Sequence, residues 1–128
     1  MIHVTDTHSL VWYFTSNSKL SDKALKTFEQ TKISGSILVP VIVLAEIQYI
    51  SRKGRISMSF LETIEKIDQY ANFQIIPLDV ETLKIAETLS ENLEMHDKLI
   101  VSHTLFFNAK LITYDKQLRE LYPQMVIW

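Results

Sequence analysis

Five short β-prone runs, each separated from the next by helical periodicity, constrain this chain more than any other feature. The runs are Ile2–Asp6, Ile37–Val39, Phe73–Ile76 (ended by Pro77), Lys110–Thr113 and Met125–Ile127. Between them the spacing of apolar residues predicts helices over Thr7–Phe14, from Ser21 (a favoured N-cap), over Val41–Lys53 until Gly54, over Ser57–Asn72, Val80–Leu89 and His96–Phe107, and briefly from Lys116. In Ser57–Asn72 the residues Phe60, Ile64, Ile67 and Ala71 share one face. Val41–Lys53 carries β-branched residues that favour strand, but its length favours helix. Strands alternating with helices build a parallel sheet covered on both faces. The expected fold is therefore α/β, a three-layer α/β/α sandwich around a parallel sheet of four to five strands. Such sheets place their sites beyond the carboxyl ends of the strands, where the connections diverge.

The 128 residues, 47% hydrophobic and 22% charged, suit one globular domain spanning 1–128 and argue against disorder. No cysteine is present, which excludes disulfides, thiolate nucleophiles and zinc–thiolate sites. The longest apolar run, Ile37–Ile47, is broken by Pro40 and Glu46 and is too short for a membrane span. The N-terminal M-I-H-V-T-D has no basic region followed by an apolar stretch, so a cytoplasmic location without a signal peptide is expected. The net charge of −2 does not by itself suggest a nucleic-acid partner. Any such reading rests on local basic residues and a bound cation.

Four acids stand in informative places. Asp6 ends the first β run and Asp115 follows the fourth, so both fall at strand carboxyl ends, although either also suits a helix cap. Glu46 has Ile42, Val43, Tyr49 and Ile50 as helical neighbours and thus lies on an apolar surface. A carboxylate there needs a cation, a proton or a salt bridge, for which Lys19 and Arg52 are candidates. Asp97 opens the sixth helix, where a carboxylate also suits the helix dipole. Crowded at one rim, the four would raise each other's pKa, and a hard divalent cation, Mg²⁺ or Mn²⁺, relieves that repulsion. One or two such ions can polarise a phosphate oxygen and activate a water for in-line attack. No Ser–His–acid set or glycine-rich phosphate loop competes with this chemistry.

The segments V-T-D-T-H-S-L-V-W, V-I-V-L-A-E-I, M-H-D-K-L-I-V-S-H-T-L, L-I-T-Y-D-K-Q-L and the final V-I-W occur in order along the whole chain. Together they resemble the PIN-domain family, its VapC-type toxin branch in particular. The resemblance implies a PIN-like fold and Mg²⁺- or Mn²⁺-dependent hydrolysis of RNA to a 3′-hydroxyl and a 5′-phosphate. It also implies a homodimer and a cognate antitoxin whose tail covers the site. The family's acidic site falls on Asp6, Glu46, Asp97 and Asp115, with Thr113, and Thr7 beside it, as supporting hydroxyls. Some relatives carry extra acids near the third motif (H-x-D-P-F-D-R); here the segment is shortened to H-D-K, and Lys98 replaces the more frequent Arg.

Lys98, Arg52, Lys53 and Arg55 are candidate RNA contacts, with a solvated helix end as the alternative for the last three; Lys19 and Lys116 are weaker ones. His8, His96 and His103 are read as structural or surface residues, since metal-assisted hydrolysis needs no histidine base. Trp12, Tyr13 and Phe14 are read as core or interface, and Trp128 as packed beside the last strand. Two rival readings remain: a receiver-like Mg²⁺-binding signalling domain, and a non-catalytic PIN scaffold that only binds a partner.

Overall fold

A computed structural model describes residues 1–128. Five strands, β1 (Ile2–Thr5), β2 (Ser36–Pro40), β3 (Phe73–Ile76), β4 (Lys110–Ile112) and β5 (Val126–Ile127), form one sheet in the order β3-β2-β1-β4-β5. Every neighbouring pair is parallel. Seven helices connect them: α1 (Thr7–Phe14), α2 (Asp22–Ser34), α3 (Val41–Arg52), α4 (Phe60–Asp68), α5 (Val80–Glu87), α6 (Met95–Phe106) and α7 (Lys116–Leu121). The strand alternation thus does build the expected parallel sheet. In β1 the successive residues His3, Val4 and Thr5 are all buried, as are Ile37 to Val39 of β2, so both sheet faces are covered.

The chain winds from β1 outward through β2 to β3, then returns across the sheet to pair β4 with the other edge of β1. The direction of winding reverses at β1 and β4, and their carboxyl ends flank the crevice where parallel sheets bind ligands. Around the sheet, Val4, Leu10, Phe28, Ile37, Ile47, Val101, Leu111 and Leu118 belong to a cluster of 22 buried apolar residues.

Local signals set most boundaries. Asp6, Ser21, Ser59, Asp79 and Asp115 each accept a hydrogen bond from the backbone N–H three residues on, capping α1, α2, α4, α5 and α7. Gly54, at φ +69°, turns the chain after α3 in a conformation that suits glycine. The helix expected over Ser57–Asn72 is a correction: α4 spans only Phe60–Asp68. Ser59 takes the Glu62 N–H and fixes the start, and a turn closed by Phe73 N–H to Tyr70 O ends it, leaving Ala71 exposed and Met58 buried in its stead. No helix is long and apolar enough to cross a membrane.

Candidate functional site

At the carboxyl ends of β1 and β4 a hydrogen-bonded chain of side chains joins the two strands. Asp6, the N-cap of α1, accepts the Ser9 N–H on Oδ1 at 2.9 Å and the Thr113 hydroxyl on Oδ2. The same Thr113 oxygen accepts the Asp115 N–H at 3.1 Å, and Asp115 Oδ1 in turn accepts the Leu118 N–H at 2.9 Å. Thr113 is fully buried, so its hydroxyl is held between the two acids with no competing water. Across the crevice, the hydroxyl of buried Thr7 donates to Glu46 Oε1 from α3. Glu46 therefore has a neutral partner in place of a salt bridge to Lys19 or Arg52.

These groups face a cavity of about 400 Å³ whose walls include Asp6, Thr7, Glu46, Glu94, Asp97 and Asp115. The four acids singled out in the sequence thus share one hollow, with Glu94 as a fifth. None of them belongs to an ion pair with Lys or Arg; the chain's four pairs are Lys32–Glu29, Lys84–Glu81, His96–Glu94 and Lys116–Glu120. Burial holds Asp6 above the usual carboxylate range against the pull of its hydrogen bonds from Ser9 and Thr113. Asp97 is pushed up to about 6, first by burial and then by the charges of Asp115, Glu94, Asp6 and Glu46. The acids are therefore close enough to feel each other, and no Lys or Arg pairs with any of them to offset the repulsion. As positioned, no three His, Asp or Glu side chains are gathered tightly enough to hold an ion by themselves.

Glu94 is the acid that sequence reasoning missed. It caps α6 by accepting the His96 and Asp97 N–H groups and pairs with His96 Nδ1 at 2.8 Å. Burial alone would raise it, but these hydrogen bonds bring it below its ordinary value, while the carboxylate raises His96. The signal was weak because Glu is not a favoured N-cap. His8, His96, Trp12 and Tyr114 also line the cavity, so the two histidines read as structural or surface residues stand at the acidic hollow itself. Trp12 is half-buried and packs against Tyr114 and Trp128 with ring centres 5.8 and 6.0 Å away.

The basic candidates separate. Arg52 and Lys53 are exposed at the end of α3, with Lys53 lying over the Tyr49 ring. Lys98 lines a different groove, beside Leu83, Glu87 and Met95, and does not face the acidic cavity. Arg55 alone of the four approaches the site, in an adjoining hollow with Lys19. A further hollow of about 470 Å³ lies past Trp12 toward Tyr13 and Tyr70. Two acids line it, Asp22 and Glu29, together with two lysines, Lys32 and Lys66, and Lys32 pairs with Glu29 at 2.9 Å, so it lacks the excess of carboxylates of the first.

Comparison with known proteins agrees with this architecture. The chain is similar in structure to VapBC2 from Rickettsia felis, solved bound to a DNA fragment from their promoter (TM-score 0.68, 23% identity, covering 98% of this chain and 97% of that one). It is also similar to a toxin–antitoxin complex from Klebsiella pneumoniae (TM-score 0.71, 16% identity, covering 98% and 96%). At these identities the likeness establishes the shared fold. Among curated proteins, no sequence matches the chain significantly. The sequence profile of the PIN domain matches residues 4–122, nearly the whole length, and the chain accordingly belongs to the PIN domain family.

Proposed function

We propose that this chain is a metal-dependent endoribonuclease, the toxin of a VapBC-like toxin–antitoxin pair, acting as one domain in the cytoplasm. The observation that carries the reading is the shared cavity of Asp6, Glu46, Asp97 and Asp115, with no Lys or Arg paired to any of them. An all-oxygen set of uncompensated carboxylates suits Mg²⁺ or Mn²⁺. Because the acids are spread around the hollow, one or two ions would be held partly through water, as Mg²⁺ commonly is. When bound, the metal supplies Lewis-acid polarisation of the phosphate and a water of lowered pKa. In the reaction, water adds to phosphorus, the P–O3′ bond breaks and the 3′ oxygen leaves with a proton, giving a 3′-hydroxyl and a 5′-phosphate.

The chain's own residues set the geometry. Thr113 and the Ser9 N–H each bind one oxygen of Asp6, leaving further lone pairs on both to face the cavity. Thr7 fixes Glu46, and the Leu118 N–H fixes Asp115. Such supporting donors orient the groups that hold a metal. The structural likeness to two toxin–antitoxin assemblies supports an antitoxin partner, and a homodimer is part of the same reading.

A receiver-like domain is disfavoured by strand order. Receiver folds run 2-1-3-4-5, whereas this sheet runs 3-2-1-4-5. The non-catalytic scaffold is separated by experiment. Purified protein with Mn²⁺ should cleave RNA, and Asp6→Asn or Asp97→Asn should abolish cleavage while the fold persists by circular dichroism. Calorimetry should show Mn²⁺ binding in the parent that either substitution removes. Parental cleavage by Asp97→Asn would refute the assignment, and a parent blind to Mn²⁺ would favour the scaffold.

A further inference from the structure

A second hollow of about 500 Å³ adjoins the acidic cavity, and the two share His8, Trp12 and Glu46 in their walls. The walls of this second hollow that the acidic cavity does not share include Lys19 and Arg55, together with Asn17 and Ser57. Lys19 reaches toward Trp12, its Nζ 5.9 Å from the ring centre. Neither Lys19 nor Arg55 is in an ion pair, so both charges are free to meet a ligand. The chain brings them together from two distant loops, Lys19 before α2 and Arg55 after α3. An acidic hollow repels phosphate; two unpaired cations directly beside it, across an indole, supply what the substrate backbone lacks at the centre.

Resting on the nuclease reading above, we infer that Lys19 and Arg55 form a phosphate subsite for the single-stranded RNA segment next to the cleaved bond. Trp12, between the two hollows, is the stacking surface for the intervening base. Stacking on a side-chain ring requires an unstacked, splayed base, so the subsite selects single strands over duplex. Contacts to phosphate are sequence-independent and show in the salt dependence of binding, with a slope near 0.7 per contact for single strands. Lys19 and Arg55 bind the substrate backbone and take no part in the bond-breaking step, since neither faces the acidic cavity.

The test uses a fluorescein-labelled single-stranded oligoribonucleotide, its duplex form, and full-length protein with Mn²⁺. For Lys19→Gln and Arg55→Gln the proposal expects KM to rise about 3- to 10-fold each with kcat within about twofold. Binding measured in the cleavage-deficient Asp97→Asn background should lose about 0.7 from its salt slope for each cation removed. Trp12→Leu should weaken the single strand at least threefold and leave the duplex unchanged. Arg52→Gln and Lys53→Gln, outside the hollow, serve as controls for a general loss of charge. If the Lys19→Gln/Arg55→Gln double variant keeps the parental KM and salt slope while the parent cleaves RNA, the subsite is wrong and the nuclease reading survives. Equal losses in the Arg52 and Lys53 controls also overturn it. A parent that neither binds nor cleaves RNA removes both.

Discussion

The two ends of the sheet treat polar groups in opposite ways. At the amino end two polar side chains meet neutral partners. His3 Nδ1 meets the Thr31 hydroxyl at 3.0 Å, and the Asn72 amide donates to Lys32 O at 2.8 Å. Charge is avoided there: burial, the N-terminal ammonium and Lys110 together hold His3 below its ordinary pKa. At the carboxyl end five carboxylates line one hollow, and burial and mutual repulsion raise Asp97 to about 6. One end is arranged for folding, whereas the other tolerates repulsion between carboxylates. Functional sites commonly break the rules that the rest of a fold obeys.

If that contrast is right, substitutions at the two ends should fail differently. The largest effect is expected for Asp97→Asn, with cleavage reduced at least about 100-fold through loss of a carboxylate that the proposed nuclease reading assigns to the metal. The same change should stabilise the metal-free protein at pH 7.5. Because the folded pKa lies above the ordinary 3.8, Asp97 favours folding below that value, and its contribution is lost as pH rises through about 6. Removing the charge recovers about 1 kcal/mol after allowance for solvent screening, a few degrees of Tm in differential scanning fluorimetry. A drop in Tm would mean that the carboxylate is structural and the rim is not strained.

Thr113→Val probes the link between Asp6 and Asp115 without removing an acid. It deletes the hydroxyl that joins Asp6 Oδ2 to the Asp115 N–H. A loss of about 10- to 100-fold in activity is expected, as for other groups that orient metal-binding residues. A buried unpaired N–H adds about 1–3 kcal/mol of destabilisation. Titrating Mn²⁺ against the variant distinguishes a misplaced acid, which weakens the metal, from a merely loosened fold, which does not.

How much of this was legible beforehand differs with the physics involved. The parallel sheet and seven helices follow from local alternation, and the caps at Asp6, Ser21 and Asp115 follow from side chains that can reach their own backbone. The start of α4 was readable too, since S-F-L-E at Ser59–Glu62 is a stronger cap pattern than Ser57. The clustering of the acids was legible because Asp6 and Asp115 follow β runs and parallel sheets place their sites at strand carboxyl ends, whereas the pairing of β1 with β4 was not. What sequence could not supply were directions. Lys98 adjoins Asp97 yet turns into another groove, because successive helical residues point about 100° apart. Arg55 and Lys19 meet only through the path of two loops, and no periodicity encodes that.

Gly35→Ala is the matching experiment at the amino end. A Cβ there would stand 2.4 Å from the Met1 carbonyl oxygen, and that oxygen is fixed by the Ser36 N–H at 3.0 Å. Relieving the clash displaces the edge where β1 and β2 begin, costing about 2 kcal/mol. Urea midpoints should fall accordingly, while kcat per folded molecule stays parental, because the site lies at the other end of both strands. A selective loss of kcat would show that strain travels along the sheet and that the two ends are not independent.

The smallest expected effect is on pH dependence. His3 and His103 are buried, and burial holds both below their ordinary pKa. Below about pH 6.5 the unfolded chain therefore binds more protons at these positions than the folded one, so stability is full above that pH and declines as pH falls. The carboxyl rim works in the opposite sense, since Asp97 favours folding at low pH. The two contributions overlap between about pH 4 and 6.5 and partly cancel in the parent. His3→Gln keeps a group able to bond Thr31 but removes the titration, so on acidification from pH 7.5 to 5.5 its urea midpoint should fall less than the parent's, or rise. Combined with Asp97→Asn, which removes the opposing contribution, the histidine effect should emerge as a steeper acid loss in the Asp97→Asn single variant than in the double variant. Parallel pH profiles for those two proteins would show that His3 is not a neutral, charge-averse group, and the contrast between the ends would lose its amino-end half.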